Sequence, residues 1–266
     1  MIMKINIYQV DAFTDRLFSG NPAAVCITDN RLSVDVMQSI AFENNLAETS
    51  FLVPAGKDFE IRWFTPKAEV DLCGHATLAS AFVIFNLLGY PGAVIRFHSR
   101  VSGLLSVERE SDMLFLDFPT DKLEMSSGEK INVIEKCIGI RPLELFKGKS
   151  DYLAVIDSER SLKALVPDLK RISELDSRGL IVTSKGDSVD FVSRFFAPQL
   201  GVNEDPVTGS AHTTLIPFWS KKLFKDRMIA NQLSERGGQL VCEFRDDRCR
   251  IGGKACLFLT GELNLE

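Results

Sequence analysis

Two short segments carry residue types that could hold an anion and move a proton. Asp71-Leu-Cys-Gly-His-Ala-Thr77 places a thiol and an imidazole at the start of a small-residue run, and Asp205-Pro-Val-Thr-Gly-Ser-Ala-His212 reads as its diverged copy. Cys73-Gly74-His75 aligns with Thr208-Gly209-Ser210 at an offset of 135 residues (73 to 208). Each glycine opens a helical run. The first N–H groups of a helix are unpaired and its dipole is positive there, and glycine lets a ligand approach the backbone. Two such helix starts facing one cleft would hold a small carboxylate or an enolate-like oxyanion. Capping alone also explains Gly and Ser at a helix start, but the repetition favours a functional role.

A third segment, Asn45-Leu-Ala-Glu-Thr-Ser-Phe51, supplies a carboxylate. Glu48 is the only charged residue between Asn44 and Lys57. At a solvated strand edge it would do nothing; in a desolvating cleft it is poised for proton transfer near neutral pH. The matching stretch of the second half, Arg178-Gly-Leu-Ile-Val-Thr183, offers no carboxylate. A helix N-terminus lowers a thiol pKa, so Cys73 is a candidate reactive group; alternatively it fills a tight turn. The Thr208 hydroxyl is far too weak an acid to act as an opposing base. His212 either lines the cleft or packs, and His98, in a strand, is read as structural. Signatures of the types GxxxxGK[ST], HExxH, GxSxG and GxGxxG are absent, as is any Cys/His cluster with zinc-ligand spacing. Nucleotide, metal and serine-hydrolase chemistry is therefore not expected, nor any metal or cofactor.

These segments are positioned by a repeat that extends beyond them. Ser99, Gly103, Leu105 and Glu108 fall on Ser234, Gly238, Leu240 and Glu243, while upstream Arg62-Trp-Phe-Thr-Pro66 falls on Arg194-Phe-Phe-Ala-Pro198 at an offset of 132. Three ordered blocks indicate duplication, at a period far too long for a solenoid. The expected domains are 1–120 and 121–266, joined near the polar stretch Pro119 to Lys130, with a terminal strand free to cross over. In each, an alternating strand (Phe59 to Phe64; Asp190 to Phe196) ends near an X-Pro pair. A helix follows (Gly74 to Leu88; Gly209 to Leu223), then further strands. Pro217 should kink or interrupt the second helix. The first is apolar nearly all round, as a buried helix is. Many short strands around one such helix predict an α+β fold of two pseudo-symmetric domains, each a curled, mostly antiparallel sheet around a central helix. Another helix is expected over Ser33 to Glu43, capped by Ser33, and the alternation of residues 1–8 predicts an opening strand.

The chain has 266 residues, 45% hydrophobic and 25% charged, with net charge −5. That is an ordinary globular composition with room for two cores. The acidic balance and the lack of a basic stripe argue against nucleic-acid binding. No stretch reads as a secretory signal or a membrane span. The six cysteines form no CxxC pair and read as free thiols of a cytoplasmic protein.

The ordered blocks Asp11-Ala-Phe13, Gly20-Asn-Pro22, Asn45-Leu-Ala-Glu48, Phe64-Thr-Pro66, Leu72-Cys-Gly-His75 and Glu204-Asp-Pro-Val-Thr-Gly-Ser-Ala211 resemble the phenazine-biosynthesis PhzF-like family over essentially the whole chain. The resemblance implies the diaminopimelate epimerase-like fold and a homodimer. It also implies an isomerase whose glutamate, matching Glu48, moves a proton between carbons of a dihydro-hydroxyanthranilate. By the same resemblance His75 and Asp205 position the substrate and assist proton traffic, and Gly74-His75 with Gly209-Ser210 hold its carboxylate. Related epimerases and racemases use two cysteines; this chain has Cys73 but Thr208. The expected activity is therefore cofactor-independent isomerisation of a small carboxylated metabolite. The alternatives are a cysteine-dependent epimerase and a non-catalytic anion-binding protein.

Overall fold

A computed structural model of the chain describes residues 3–265, so residues 1 and 2 of the expected opening strand lie outside it. The chain divides into two compact units. One runs up to Asp117 and resumes at Gly252; the other is Phe118–Ile251.

The first unit opens with β1 (Met3–Ala12), β2 (Asn21–Ile27), α1 (Val34–Asn44), β3 (Glu48–Ala55), β4 (Asp58–Phe64) and β5 (Glu69–Val70). It continues through α2 (Gly74–Asn86), β6 (Val94–Ser99), β7 (Gly103–Glu110) and β8 (Met113–Pro119). The second unit contains β9 (Glu124–Met125), α3 (Gly128–Ile138), β10 (Glu144–Lys147), β11 (Asp151–Val155), α4 (Glu159–Ala164), α5 (Leu169–Ser173), β12 (Gly179–Lys185) and β13 (Phe191–Phe196). After a short 3₁₀ turn (Pro198–Leu200) come α6 (Gly209–Leu223), β14 (Arg227–Gln232), β15 (Gly238–Arg245) and β16 (Arg248–Gly253). The last strand, β17 (Ala255–Leu265), pairs antiparallel along the whole of β1, from Met3↔Leu265 to Ala12↔Ala255. That ladder returns the C-terminal segment to the first unit.

The duplication is visible in the strand ladders. In the first unit β2 and β3 pair parallel, β3 and β4 antiparallel, β4 and β6 parallel, and β6 and β7 antiparallel. In the second unit β11 to β15 repeat that order: parallel, antiparallel, parallel, antiparallel. Counting the outer pairs, antiparallel ladders predominate in each unit. The fold is α+β, as expected.

The sequence accounts for the elements that carry the chemistry. Helix α1 starts where the Ser33 hydroxyl accepts the Val36 N–H at 3.3 Å, and stops at Asn45, whose φ of 49° is left-handed. Asparagine tolerates that conformation better than most residues. The reversal there leads directly into β3, whose first residue is Glu48. Helix α2 is buried almost throughout, from His75 to Ala81 and again at Val83 to Phe85, and packs on β1, β2, β3, β7 and β17. Its polar residues are paired internally: Ser80 bonds Ser50 at 2.8 Å and the Ala76 carbonyl at 2.7 Å, and Thr77 bonds the Cys73 carbonyl at 2.6 Å.

In the second unit α6 is anchored by Trp219. Its ring stacks on Phe191 at 5.7 Å, and its indole N–H donates to the Thr183 hydroxyl at 3.0 Å. Of the kink or interruption expected at Pro217, the interruption does not occur: α6 runs unbroken from Gly209 to Leu223. Proline leaves the carbonyl four residues back, that of Thr213, without its helical donor. The Asp121 N–H fills that place at 3.1 Å. Among the described residues no helix is long and apolar enough to cross a membrane.

Candidate active site

In the first unit, Glu48, Cys73 and His75 converge. Glu48 is brought by the first position of β3, where it faces Ala23 of β2 in the parallel ladder. Cys73 is the N-cap of α2, in extended backbone (φ −141°) and with no side-chain capping bond, and His75 lies one residue inside the helix. Glu48 Oε2 lies 3.1 Å from His75 Nε2. Cys73 Sγ lies 3.5 Å from Nδ1 and 4.0 Å from Nε2. The imidazole and thiol are buried, while the Glu48 side chain keeps 19% of its surface. Glu48 Oε2 is buried with no hydrogen-bond partner, although Nε2 lies 3.1 Å away. A carboxylate oxygen held this way is uncommitted.

The electrostatics of the trio are coupled. Burial pulls the His75 pKa down, but Cys73 and Glu48 outweigh it and hold the ring well above the ordinary imidazole value. The Cys73 thiol is pushed up, first by burial and then by the Glu48 charge, against smaller opposing contributions from His75 and the Ala76 N–H. The helix start therefore does not give Cys73 the lowered pKa expected of that position. The ligand atoms of the trio lie within 4.8 Å of one another. That spacing would also suit a metal ion.

Sequence reading missed Asn21 as a contributor. It is fully buried at the start of β2, and its Nδ2 lies 3.2 Å from His75 Nδ1. Its signal was the Gly20-Asn21-Pro22 block, which carried no assigned role.

The second unit holds the duplicate segment, with Asp205, Thr208, Gly209, Ser210 and His212 on the loop and first turn of α6. Thr208 occupies the N-cap but does not cap, since its hydroxyl donates to Asp205 Oδ2 at 2.5 Å. A residue that sequence reading did not single out, Gln232 of β14, clamps this loop. Its Oε1 accepts the Thr208 N–H at 2.9 Å, and its Nε2 donates to the Asp205 carbonyl at 2.8 Å and to the Thr208 hydroxyl at 3.1 Å. Replacing Gln232 by Leu strands a buried N–H and a carbonyl, so a loss of about 2–4 kcal/mol is expected in urea denaturation. A change under about 0.5 kcal/mol would show that the clamp is unimportant.

Of the two readings of His212, the geometry gives packing. The ring is fully buried, 6.0 Å from that of Phe191, and its Nδ1–H donates to the Thr208 carbonyl at 2.8 Å. Burial pushes its pKa down to about 4, against a smaller opposing contribution from that bond. The unfolded chain then binds more protons than the folded one between about pH 6.5 and about pH 4. Stability is complete above that window and falls with acidification through it, by up to about 3 kcal/mol. Comparing denaturant midpoints at pH 7 and pH 4.5, wild type should lose more stability than His212→Leu. Equal losses would refute the assignment.

The asymmetry between the units has a steric basis. Thr49 pairs with Phe64 in the first unit as Leu180 pairs with Phe196 in the second, so Glu48 corresponds to Gly179. A Cβ at Gly179 would lie 2.5 Å from the Phe195 ring. The second unit has no room for a carboxylate there.

Comparison with known proteins places the chain. Residues 10–261 match the family model for phenazine biosynthesis-like proteins (PhzC-PhzF). An uncharacterised isomerase of Pseudomonas aeruginosa is 49% identical, over 99% of this chain and all of the relative. The crystal structure of a phenazine biosynthesis PhzF-family protein from Enterococcus faecalis superposes with a TM-score of 0.96 at 45% identity, covering 99% of this chain and all of that one. A hydroxyproline epimerase of Agrobacterium vitis, with bound trans-4-hydroxy-L-proline, shares the fold alone, with a TM-score of 0.64 at 10% identity over 98% and 93% of the two chains. The protein is thus an isomerase and belongs to the phenazine biosynthesis-like, PhzF-containing family.

Proposed function

We propose that the enzyme is a cofactor-independent isomerase that moves a proton at carbon on a small carboxylate-bearing metabolite, with Glu48 as the acid–base group. One observation carries this reading: Glu48 Oε2 is buried, lies 3.1 Å from a histidine held well above its ordinary pKa, and accepts no hydrogen bond. In the scheme, Glu48 takes the proton from a carbon next to an electron-withdrawing group and returns it to the same or a conjugated carbon. The C–H electrons move into the conjugated system and back, so the step needs no oxidant or reductant. His75, positively charged, stabilises the ionised Glu48 and the developing oxyanion. The uncapped start of α2 at Gly74-His75 offers N–H groups to a carboxylate. By resemblance to the family, Asp205, Gly209 and Ser210 of the second unit add to substrate binding and proton traffic. Family resemblance extends the reading to a homodimer, and the free cysteines to the cytoplasm.

The test is a panel of small unsaturated and α-substituted carboxylates incubated with the protein in D₂O and followed by proton NMR. At least one should lose a C–H signal at a rate proportional to enzyme concentration. Binding of panel members with no exchange in any of them would favour an anion-binding protein instead.

A further inference from the structure

Each nitrogen of the His75 ring faces a different partner. Nε2 faces Glu48 at 3.1 Å; Nδ1 faces Asn21 at 3.2 Å and Cys73 at 3.5 Å. Asn21 is placed there by the chain immediately before it. Gly20 takes a left-handed φ of 67°, and Asn21 then enters the ladder opposite Ala12, with Pro22 opposite Asp11. An amide can pair with imidazole in either protonation state, because either of its ends can face the ring. Its N–H donates to a bare Nδ1, and after a half-turn its oxygen accepts from a protonated Nδ1. A carboxylate in its place could only accept, and an aliphatic side chain could do neither.

We propose that Asn21 is a positioning residue that occupies Nδ1 of His75. By pairing with Nδ1 in both protonation states, it withholds that nitrogen from the Cys73 thiol and leaves Nε2 to face Glu48. Without that pairing, Nδ1 would be left to the thiol, and the ring would couple to Cys73 rather than to Glu48. Asn21 thereby favours the glutamate as the proton carrier. The titratable groups that face the ring are Glu48 from β3 and Cys73 from the cap of α2. The inference bears on the proton chemistry proposed above, but its test needs no substrate. Failure of the one is therefore distinguishable from failure of the other.

The test is ¹⁵N NMR of histidine-labelled full-length protein, which reads the protonation of each ring nitrogen as a function of pH; His75 is assigned by comparison with His75→Gln. In wild type the neutral ring should be protonated at Nε2 only. In Asn21→Asp, whose side chain can only accept, the doubly protonated ring should persist to higher pH by one unit or more, about a tenfold gain in proton affinity. In Asn21→Leu the Nδ1 shift should move as that nitrogen passes from the amide to the Cys73 thiol. Site-resolved alkylation should then find Cys73 more reactive, with buried Cys26 of β2 unchanged as the control for local opening. Folded variants with wild-type nitrogen shifts and midpoint would overturn the proposal. Should one variant fail to fold, the other decides.

Discussion

Glu48→Gln is expected to lower kcat/KM by about 10³-fold or more, with substrate affinity changed by less than about threefold. The substitution keeps the shape of the side chain and its place at the start of β3. It removes the group that can take a proton and the charge that faces His75. The matching position of the second unit offers no substitute, because position 179 is a glycine closed off by Phe195. Cys73 cannot take over either: it is buried and its pKa is raised, so at neutral pH it is a thiol rather than a base. Steady-state kinetics with a substrate found by the exchange panel, and calorimetric titration of the same compound, measure the two quantities separately. A variant within tenfold of wild-type kcat/KM would remove Glu48 from the chemistry.

The largest effect on stability should come from Gly20→Ala, at about 3 kcal/mol or more in urea denaturation. Two costs add there. The backbone is left-handed, and a Cβ would stand 2.2 Å from the Ala12 carbonyl oxygen, a main-chain atom fixed in the β1 ladder. Gly56 provides the control: its φ of 68° is nearly the same, but a Cβ there meets nothing within 4 Å. Gly56→Ala should therefore lose only the conformational part, about 1 kcal/mol. If the two substitutions cost the same, the close approach at Gly20 is not real. Because the Gly20 turn delivers Asn21, the surviving folded fraction of Gly20→Ala should also show altered His75 nitrogen shifts.

Much of this arrangement was legible in the sequence. The duplication rested on matched blocks, and the ladders of the two units repeat the same pairing order. Helices α1, α2 and α6 could be read because their starts carry local signals: Ser33, Gly74 and Gly209. What escaped depends on pairing between residues distant in sequence. Pro217 sits in an unbroken helix because Asp121, far back in the chain, bonds the freed carbonyl. Ala255–Leu265 belongs with β1 because of a ladder between the two ends of the chain. Asn21 and Gln232 are ordinary amides in strands, and only the fold shows that one faces His75 and the other grips the Thr208 loop. Cys73 shows the limit of a local rule. A helix start lowers a thiol pKa in isolation, but here burial and the Glu48 charge reverse the direction.

The central claim is that Glu48 carries the proton, and the most direct measurement is deuterium incorporation at the substrate carbon. Wild type and Glu48→Gln would be incubated with the same substrate in D₂O and sampled by mass spectrometry over the first turnovers. The account predicts deuterium in the wild-type product and none above background with Glu48→Gln, although that variant still binds the compound. Incorporation by Glu48→Gln at the wild-type rate would contradict it.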